Sequence, residues 1–207
     1  MAAAPRTESR PRVAGAREEE ILAATVAQLL EVGYDRLTMD RVAEHAHASK
    51  ATLYRRWSSK QSLVVDALTR THRPSEDAGP PDTGSLRSDL LALFAGAPGQ
   101  AGRDSTAVFG TVVTALQNDP DFAREFRERF LAPKLAVQQQ IYERAAGRGE
   151  LAPGVDPALL GPALPGILLH RSLALGEPVT ADLVERVVDQ IILPAATGRP
   201  FVPQETS

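Results

Sequence analysis

The 207-residue chain contains no cysteine, which removes disulfides, thiolate nucleophiles and cysteine-bound metals together. It has no continuous apolar run long enough for a membrane span. The first dozen residues hold Ala, Pro and Arg but no apolar signal core, so a cytoplasmic protein is expected. A glycine-rich phosphate loop is missing, as is any Ser/His/Asp order of the hydrolase kind. The chain is therefore expected not to be an enzyme and to need no cofactor. His45 and His47 lack cysteine or close carboxylate partners, so no metal site is expected.

Acidic residues are missing between Glu44 and Asp66, where Lys50, Arg55, Arg56 and Lys60 all fall. The net charge of −3 hides this asymmetry. Residues 1–73 hold 12 Lys+Arg and 9 Asp+Glu, a balance of +3, while residues 74–207 hold 11 and 17, a balance of −6. The amino-terminal third is the part a polyanion would prefer. Charge alone leaves a solvated basic face as the alternative.

What is present is helical periodicity, and no segment alternates as a strand would. An all-α fold of about nine helices is expected. Helix one is placed from about Ala16 to Val32, with Glu18, Glu19 and Glu20 complementing its dipole and Gly33 ending it. Helix two starts at Thr38, a good N-cap, and runs to about Ala46; helix three spans Ser49 to about Trp57. Helix four opens on Ser58-x-x-Gln61, the pattern of a capping box, and continues through Leu68. Five more helices are expected at about 85–96, 104–118, 120–147, 157–175 and 180–195. Asp119-Pro120 and Asp156-Pro157 are start signals, and Pro194 is a stop. Pro162 and Pro165 should kink or split the helix that holds them. The expected division is an arm at 1–15, an amino-terminal helical domain at 16–72, a carboxy-terminal domain at 84–196 and a tail at 197–207.

Two short helices joined by a tight turn, the second one basic, have the form of a DNA-reading helix-turn-helix. At 100° per residue Leu53 and Trp57 fall together and should pack inward. Arg55 then faces out, able to bind guanine O6/N7 in a bidentate way, with Thr52 allowing close approach. Lys50 lies near the groove edge and Arg56 at the flank. Tyr54 is either a phosphate donor or a half-buried aromatic. Lys60, a cation in a helix's first turn, makes sense beside a docked phosphate, and Thr38 offers hydroxyl and helix N–H groups in the same way.

The ordered set Ile21-Leu22-x-Ala24, Gly33-Tyr34, Leu37-Thr38-Met39, Val42-Ala43, Ser49-Lys50-Ala51-Thr52-Leu53-Tyr54, Trp57 and Lys60-x-x-Leu63 resembles the DNA-binding domain of the TetR family of transcriptional regulators. Arg148-Gly149-Glu150-Leu151 and Asp156-Pro157 match the rest of that family more weakly. The usual turn glycine is replaced by His47, which tolerates a positive φ better than most residues. The resemblance implies DNA contacts at Thr38, Ser49, Lys50, Thr52, Tyr54, Arg55, Arg56 and Lys60. It implies a homodimer on a palindromic operator, with the stripe Leu183, Val184, Val187, Val188, Ile191 and Ile192 as interface or, alternatively, as the chain's own core. It also implies a small-molecule effector in a carboxy-terminal pocket, for which Phe94, Phe109, Val113, Phe130, Leu164 and Leu168 are the candidate lining. Phe122, Phe126 and Phe130 recur at core spacing. The expected function is a repressor released by a small ligand. An activator, a ligand-insensitive regulator or a helical interaction protein that does not read DNA are the alternatives.

Overall fold

The computed structural model describes residues 10–71 and 79–199, and among these no strand occurs. The expected arm over residues 1–9 and tail over 200–207 lie outside the described residues. Four helices open the chain: α1 (Arg10–Arg36), α2 (Met39–His45), α3 (Lys50–Arg56) and α4 (Lys60–Thr71). They are followed by α5 (Leu86–Leu93), α6 (Gly99–Val112), α7 (Ala115–Asn118), α8 (Pro120–Glu125) and α9 (Ala132–Gly147). The chain closes with α10 (Pro157–Leu160), α11 (Ala163–Leu169), α12 (Ala181–Val187) and α13 (Leu193–Thr197). When segments joined by a π-helical turn or a single break are grouped, the described residues form nine helices.

Two compact units are distinguished. The first holds the described residues up to Thr71 together with Thr111–Phe126; the second holds the described residues to Gly110 and those from Arg127 onward. Within the first unit α8 packs on α4, and α7 packs on α8, so these two short helices are grouped there although they lie inside the stretch expected as the carboxy-terminal domain.

In the first unit, Ile21, Leu29, Leu37, Val42, Leu53, Trp57, Leu63 and Leu68 are buried. Each such side chain stabilises the fold by roughly 1.5–3 kcal/mol through apolar burial. Gly33 ends the long part of α1 with φ 76°, ψ 170°, a conformation open to glycine and costly for a residue with a Cβ. Because α1 begins at Arg10, the Glu18–Glu20 triplet lies two turns inside it and does not serve the helix start. The triplet instead pairs outward: Glu18 with Arg56, Glu19 with Arg70 and Glu20 with Arg17.

The cap of α4 also differs from expectation. Ser59 Oγ accepts the Ser62 N–H at 3.0 Å, so Ser59 and not Ser58 is the cap, and Gln61 reaches elsewhere.

The second unit is centred on Leu86, Leu90, Ile141, Tyr142, Leu164, Leu168, Val188 and Ile192. Pro133 and Pro194 each follow a π-helical stretch, at Phe126–Leu131 and Val188–Ile192 respectively. A wider turn relieves the proline ring's clash with the preceding turn and reroutes the carbonyl that its missing N–H would orphan. Pro194 therefore does not stop the last helix, which continues to Thr197 and ends at Gly198 with φ 66°. Pro162 and Pro165 split the helix expected at 157–175: the chain breaks at Gly161-Pro162, and Pro165 falls in the first turn of α11, where free N–H groups are not needed.

A buried carboxylate ties the start of this unit to the end of α9. Asp89 Oδ1 accepts the backbone N–H and the hydroxyl of Thr83 at 2.6 and 2.7 Å, and Arg148 donates to Oδ2 at 3.1 Å. Burial pushes the Asp89 pKa up, but the two Thr83 donors and the Arg148 charge outweigh it and hold the carboxyl below its ordinary value. Glu150, next to Gly149 (φ 74°), accepts the Leu86 N–H at 2.7 Å.

Candidate nucleic-acid interface

The reading head is set by local caps. Thr38 Oγ1 accepts the Arg41 N–H at 3.2 Å and starts α2; Ser49 Oγ accepts the Thr52 N–H at 3.1 Å and starts α3. Between them the chain turns at His47, which has φ 49° and is the one non-glycine residue with positive φ among the described residues. The His47 N–H bonds to the Glu44 carbonyl at 3.0 Å and the Ala48 N–H to the Ala43 carbonyl at 2.8 Å. These two bonds are the Schellman closure of a helix C-terminus, formed here without glycine. Arg17 of α1 donates to the His47 carbonyl at 2.5 Å and holds the turn from outside.

Leu53 and Trp57 are buried, and the Trp57 Nε1–H donates to Asp66 Oδ2 at 2.8 Å, so the ring is fixed as well as packed. The opposite face is open to solvent: Ser49, Lys50, Ala51, Tyr54, Arg55 and Arg56 are exposed, and Thr52 is half-buried with its hydroxyl 2.8 Å from that of Ser49. Tyr54 is 54% exposed, which decides against the half-buried aromatic.

The cations on this surface differ in their engagement. Lys50 Nζ lies 2.6 Å from Asp40 Oδ2, and Arg56 Nη2 lies 3.0 Å from Glu18 Oε1. The hydrogen bond to each acid, then its charge, raises the pKa of both cations. Arg55 has no such partner among the described residues. Exposed pairs of this kind are screened by solvent and contribute little, so a phosphate can compete for Lys50 and Arg56.

Lys60 is held more firmly. Its ammonium donates to the Tyr34 carbonyl at 3.1 Å and sits 4.1 Å from the centre of the Tyr34 ring. Tyr34 in turn donates its hydroxyl to Asp119 Oδ2 at 2.7 Å, and Gln61 Nε2 reaches the same oxygen at 3.0 Å. Asp119 Oδ1 caps α8 by accepting the Phe122 N–H at 2.9 Å, and the Phe122 ring packs 4.6 Å from that of Tyr34. Burial pushes the Asp119 pKa up, but the Phe122 N–H, the Tyr34 and Gln61 donors and the Lys60 charge hold it below its ordinary value. Burial first, then Asp119, pushes the Tyr34 pKa well up. This joint was not anticipated beyond the capping role of Asp119.

The remaining candidates are placed as follows. Leu183, Val184, Val187, Val188 and Ile192 are buried in the core of their own unit, which corrects the expectation that they face a partner. Ile191 alone of that set is exposed, at 48%. The periodicity marked the inner face of α12 and the π-helical stretch, because an apolar stripe looks the same whether its own chain or another covers it. Leu164 and Leu168 lie in the same core, with Phe94 packed against it. Phe130 is buried and Phe109 half-buried, whereas Val113 is exposed and belongs to the first unit. No helix among the described residues is long and apolar enough to cross a membrane.

Comparison with known proteins agrees with this geometry. A family model described as bacterial regulatory proteins, tetR family, matches residues 21–67, and one described as a tetracyclin repressor-like C-terminal domain matches residues 80–191. An uncharacterized HTH-type transcriptional regulator of Mycobacterium tuberculosis is 40% identical over 181 residues, covering 87% of this chain and 88% of the relative. A protein of Mycobacteroides abscessus named DNA-binding transcriptional repressor TetR is 36% identical over 177 residues, covering 86% and 92%. The crystal structure of a TetR family transcription regulator superposes with a TM-score of 0.61 at 31% identity, covering 85% of this chain and 96% of that one.

Proposed function

We propose that this chain, which belongs to the TetR family of transcriptional regulators, is a repressor that binds a roughly palindromic operator as a homodimer and is released by a small-molecule ligand. The observation that carries the reading is the two-sided character of α3: Leu53 and Trp57 buried on one side, Arg55 exposed and unpaired among the described residues on the other. A guanidinium held in this way is suited to bidentate recognition of guanine in the major groove. Thr52 and Ser49 lie beside it, Tyr54 donates to the backbone, and Lys50 and Arg56 exchange Asp40 and Glu18 for phosphates. Thr38 offers its hydroxyl and the start of α2. Lys60 uses one N–H on Tyr34 and keeps others for a phosphate.

Repression is supported by the name of the Mycobacteroides abscessus relative. Two reading heads on one operator require a dimer, for which the exposed side bearing Ile191 is the available part of the last helix. The ligand is proposed to enter the second unit beside Phe94, Phe130, Leu164 and Leu168, with Phe109 as an outlying candidate; Val113, in the first unit, is left out.

A selection of genomic fragments bound by the purified chain tests this reading. The expected result is enrichment of one two-fold-symmetric motif, bound as a dimer. Recovery of fragments with no common motif would overturn sequence-specific repression.

A further inference from the structure

Three of the basic residues read as DNA contacts are already engaged within the chain, and they are engaged differently. Lys50 lies on the Asp40 carboxylate and Arg56 on that of Glu18. Each of these acids offsets its cation's charge and has to be displaced before a phosphate takes its place. Lys60, the first residue of α4, is held by uncharged groups instead. Its ammonium donates to the Tyr34 carbonyl at 3.1 Å and lies 4.1 Å from the centre of the Tyr34 ring. Neither group cancels the charge that a phosphate would meet.

The acid beside this group is occupied by other donors. Asp119 Oδ2 accepts the Tyr34 hydroxyl at 2.7 Å and Gln61 Nε2 at 3.0 Å, and its Oδ1 accepts the Phe122 N–H at 2.9 Å. Asp119 feels the Lys60 charge, but its hydrogen bonds go to these three partners. A phenol that donates to a carboxylate gains electron density in its ring, which strengthens the ring's attraction for a cation. Tyr34 is 4% exposed, so the ring beside the ammonium is fixed as well as polarised. A freely rotating lysine gives up side-chain freedom when it takes a phosphate, and one already ordered gives up less.

We propose that Tyr34, pinned by Asp119, is a positioning residue for DNA binding: it holds the Lys60 ammonium, with its charge uncancelled, ready for one backbone phosphate. Tyr34 touches no DNA in this account and acts through Lys60. The proposal deepens the DNA-binding reading given above and rests on it.

A double-mutant cycle on the full chain tests it, with affinity for the selected fragment measured across a salt series and folding of each variant checked by circular dichroism. Lys60→Met is expected to flatten the salt slope by about one phosphate. Tyr34→Phe, which changes no formal charge, is expected to weaken binding several-fold in the wild-type background. In the Lys60→Met background the same change should alter affinity less than about two-fold, because the residue it serves is gone. Tyr34→Leu removes the ring as well and should follow the same pattern with a larger loss; if it does not fold, Tyr34→Phe carries the test alone. Equal weakening by Tyr34→Phe in both backgrounds would make Tyr34 a scaffold residue and overturn the proposal, as would unchanged affinity in the wild-type background. A salt slope unchanged by Lys60→Met, with the fragment still bound selectively, overturns the proposal and leaves the reading of α3 standing. Failure of the wild-type chain to bind any duplex in a salt-dependent way overturns that reading and the proposal with it.

Discussion

Tyr34 and Asp119, 85 residues apart, share a 2.7 Å hydrogen bond that joins the end of α1 to the cap of α8. The bond is made to a carboxylate that also accepts from Gln61 and from the Phe122 N–H, so one side chain fastens three segments of the DNA-binding unit. Lys60 closes the arrangement on the Tyr34 carbonyl and ring face.

Loss of the Tyr34 hydroxyl removes a charge-assisted bond while the ring stays packed on Phe122. Tyr34→Phe is expected to destabilise the protein by about 1.5–3 kcal/mol. Asp119→Ala is expected to cost more, because it also removes a helix cap worth about 1 kcal/mol. Chemical denaturation of the two variants checks the order. Equal stability of Tyr34→Phe and wild type would contradict it.

The acids that hold Lys50 and Arg56 also lie where DNA phosphates would come. Asp40→Asn and Glu18→Gln each free a cation and remove a repulsive charge. Both are expected to tighten binding to any duplex several-fold at low salt, with a stability change within roughly 1 kcal/mol. Fluorescence anisotropy at two salt concentrations measures this. Weaker binding in both variants would show that the pairs are needed intact.

His47 holds a left-handed conformation that costs a residue with a Cβ roughly 1–2 kcal/mol. His47→Gly should be neutral or stabilising, and His47→Val should lower both stability and DNA affinity. Thermal melts compared with binding curves distinguish the two variants. A destabilised His47→Gly would mean that the imidazole contributes more than its backbone costs.

The folded pKa values of Asp89 and Asp119 are both depressed. An acid with a lowered folded pKa adds stability that is fully present above the unfolded value of about 4 and is lost as pH falls through the folded value. Stability should therefore decline below about pH 4, and Asp89→Ala should flatten part of that decline while costing about 3 kcal/mol at neutral pH. Denaturation midpoints from pH 7 downward give the slope. An unchanged slope in Asp89→Ala would remove it from the account.

The reading head was legible in the sequence because its determinants are local. Thr38 and Ser49 cap within three residues, the inward pair Leu53 and Trp57 follows from helical period, and His47 stands where the turn needs a positive φ. What could not be read is non-local. Lys60 looked like a free cation because its partner Tyr34 is 26 residues away. The Glu18–Glu20 triplet looked like dipole chemistry because the true start of α1 has no strong cap signal and the partners Arg56 and Arg70 come from later helices. The stripe ending at Ile192 was correctly seen as apolar, but pattern alone does not say whose core it enters. Pro194 stops a helix of ordinary pitch and not one that has first widened into a π turn.

The central claim is that Arg55 reads the operator from the open face of α3. Binding-site selection repeated with Arg55→Ala tests it most directly. The account predicts that preference is lost at one position of each half-site and that affinity for the wild-type motif falls about 10- to 100-fold, as expected for a contact worth roughly 1–3 kcal/mol. Recovery of the same motif with unchanged preference at every position would contradict it.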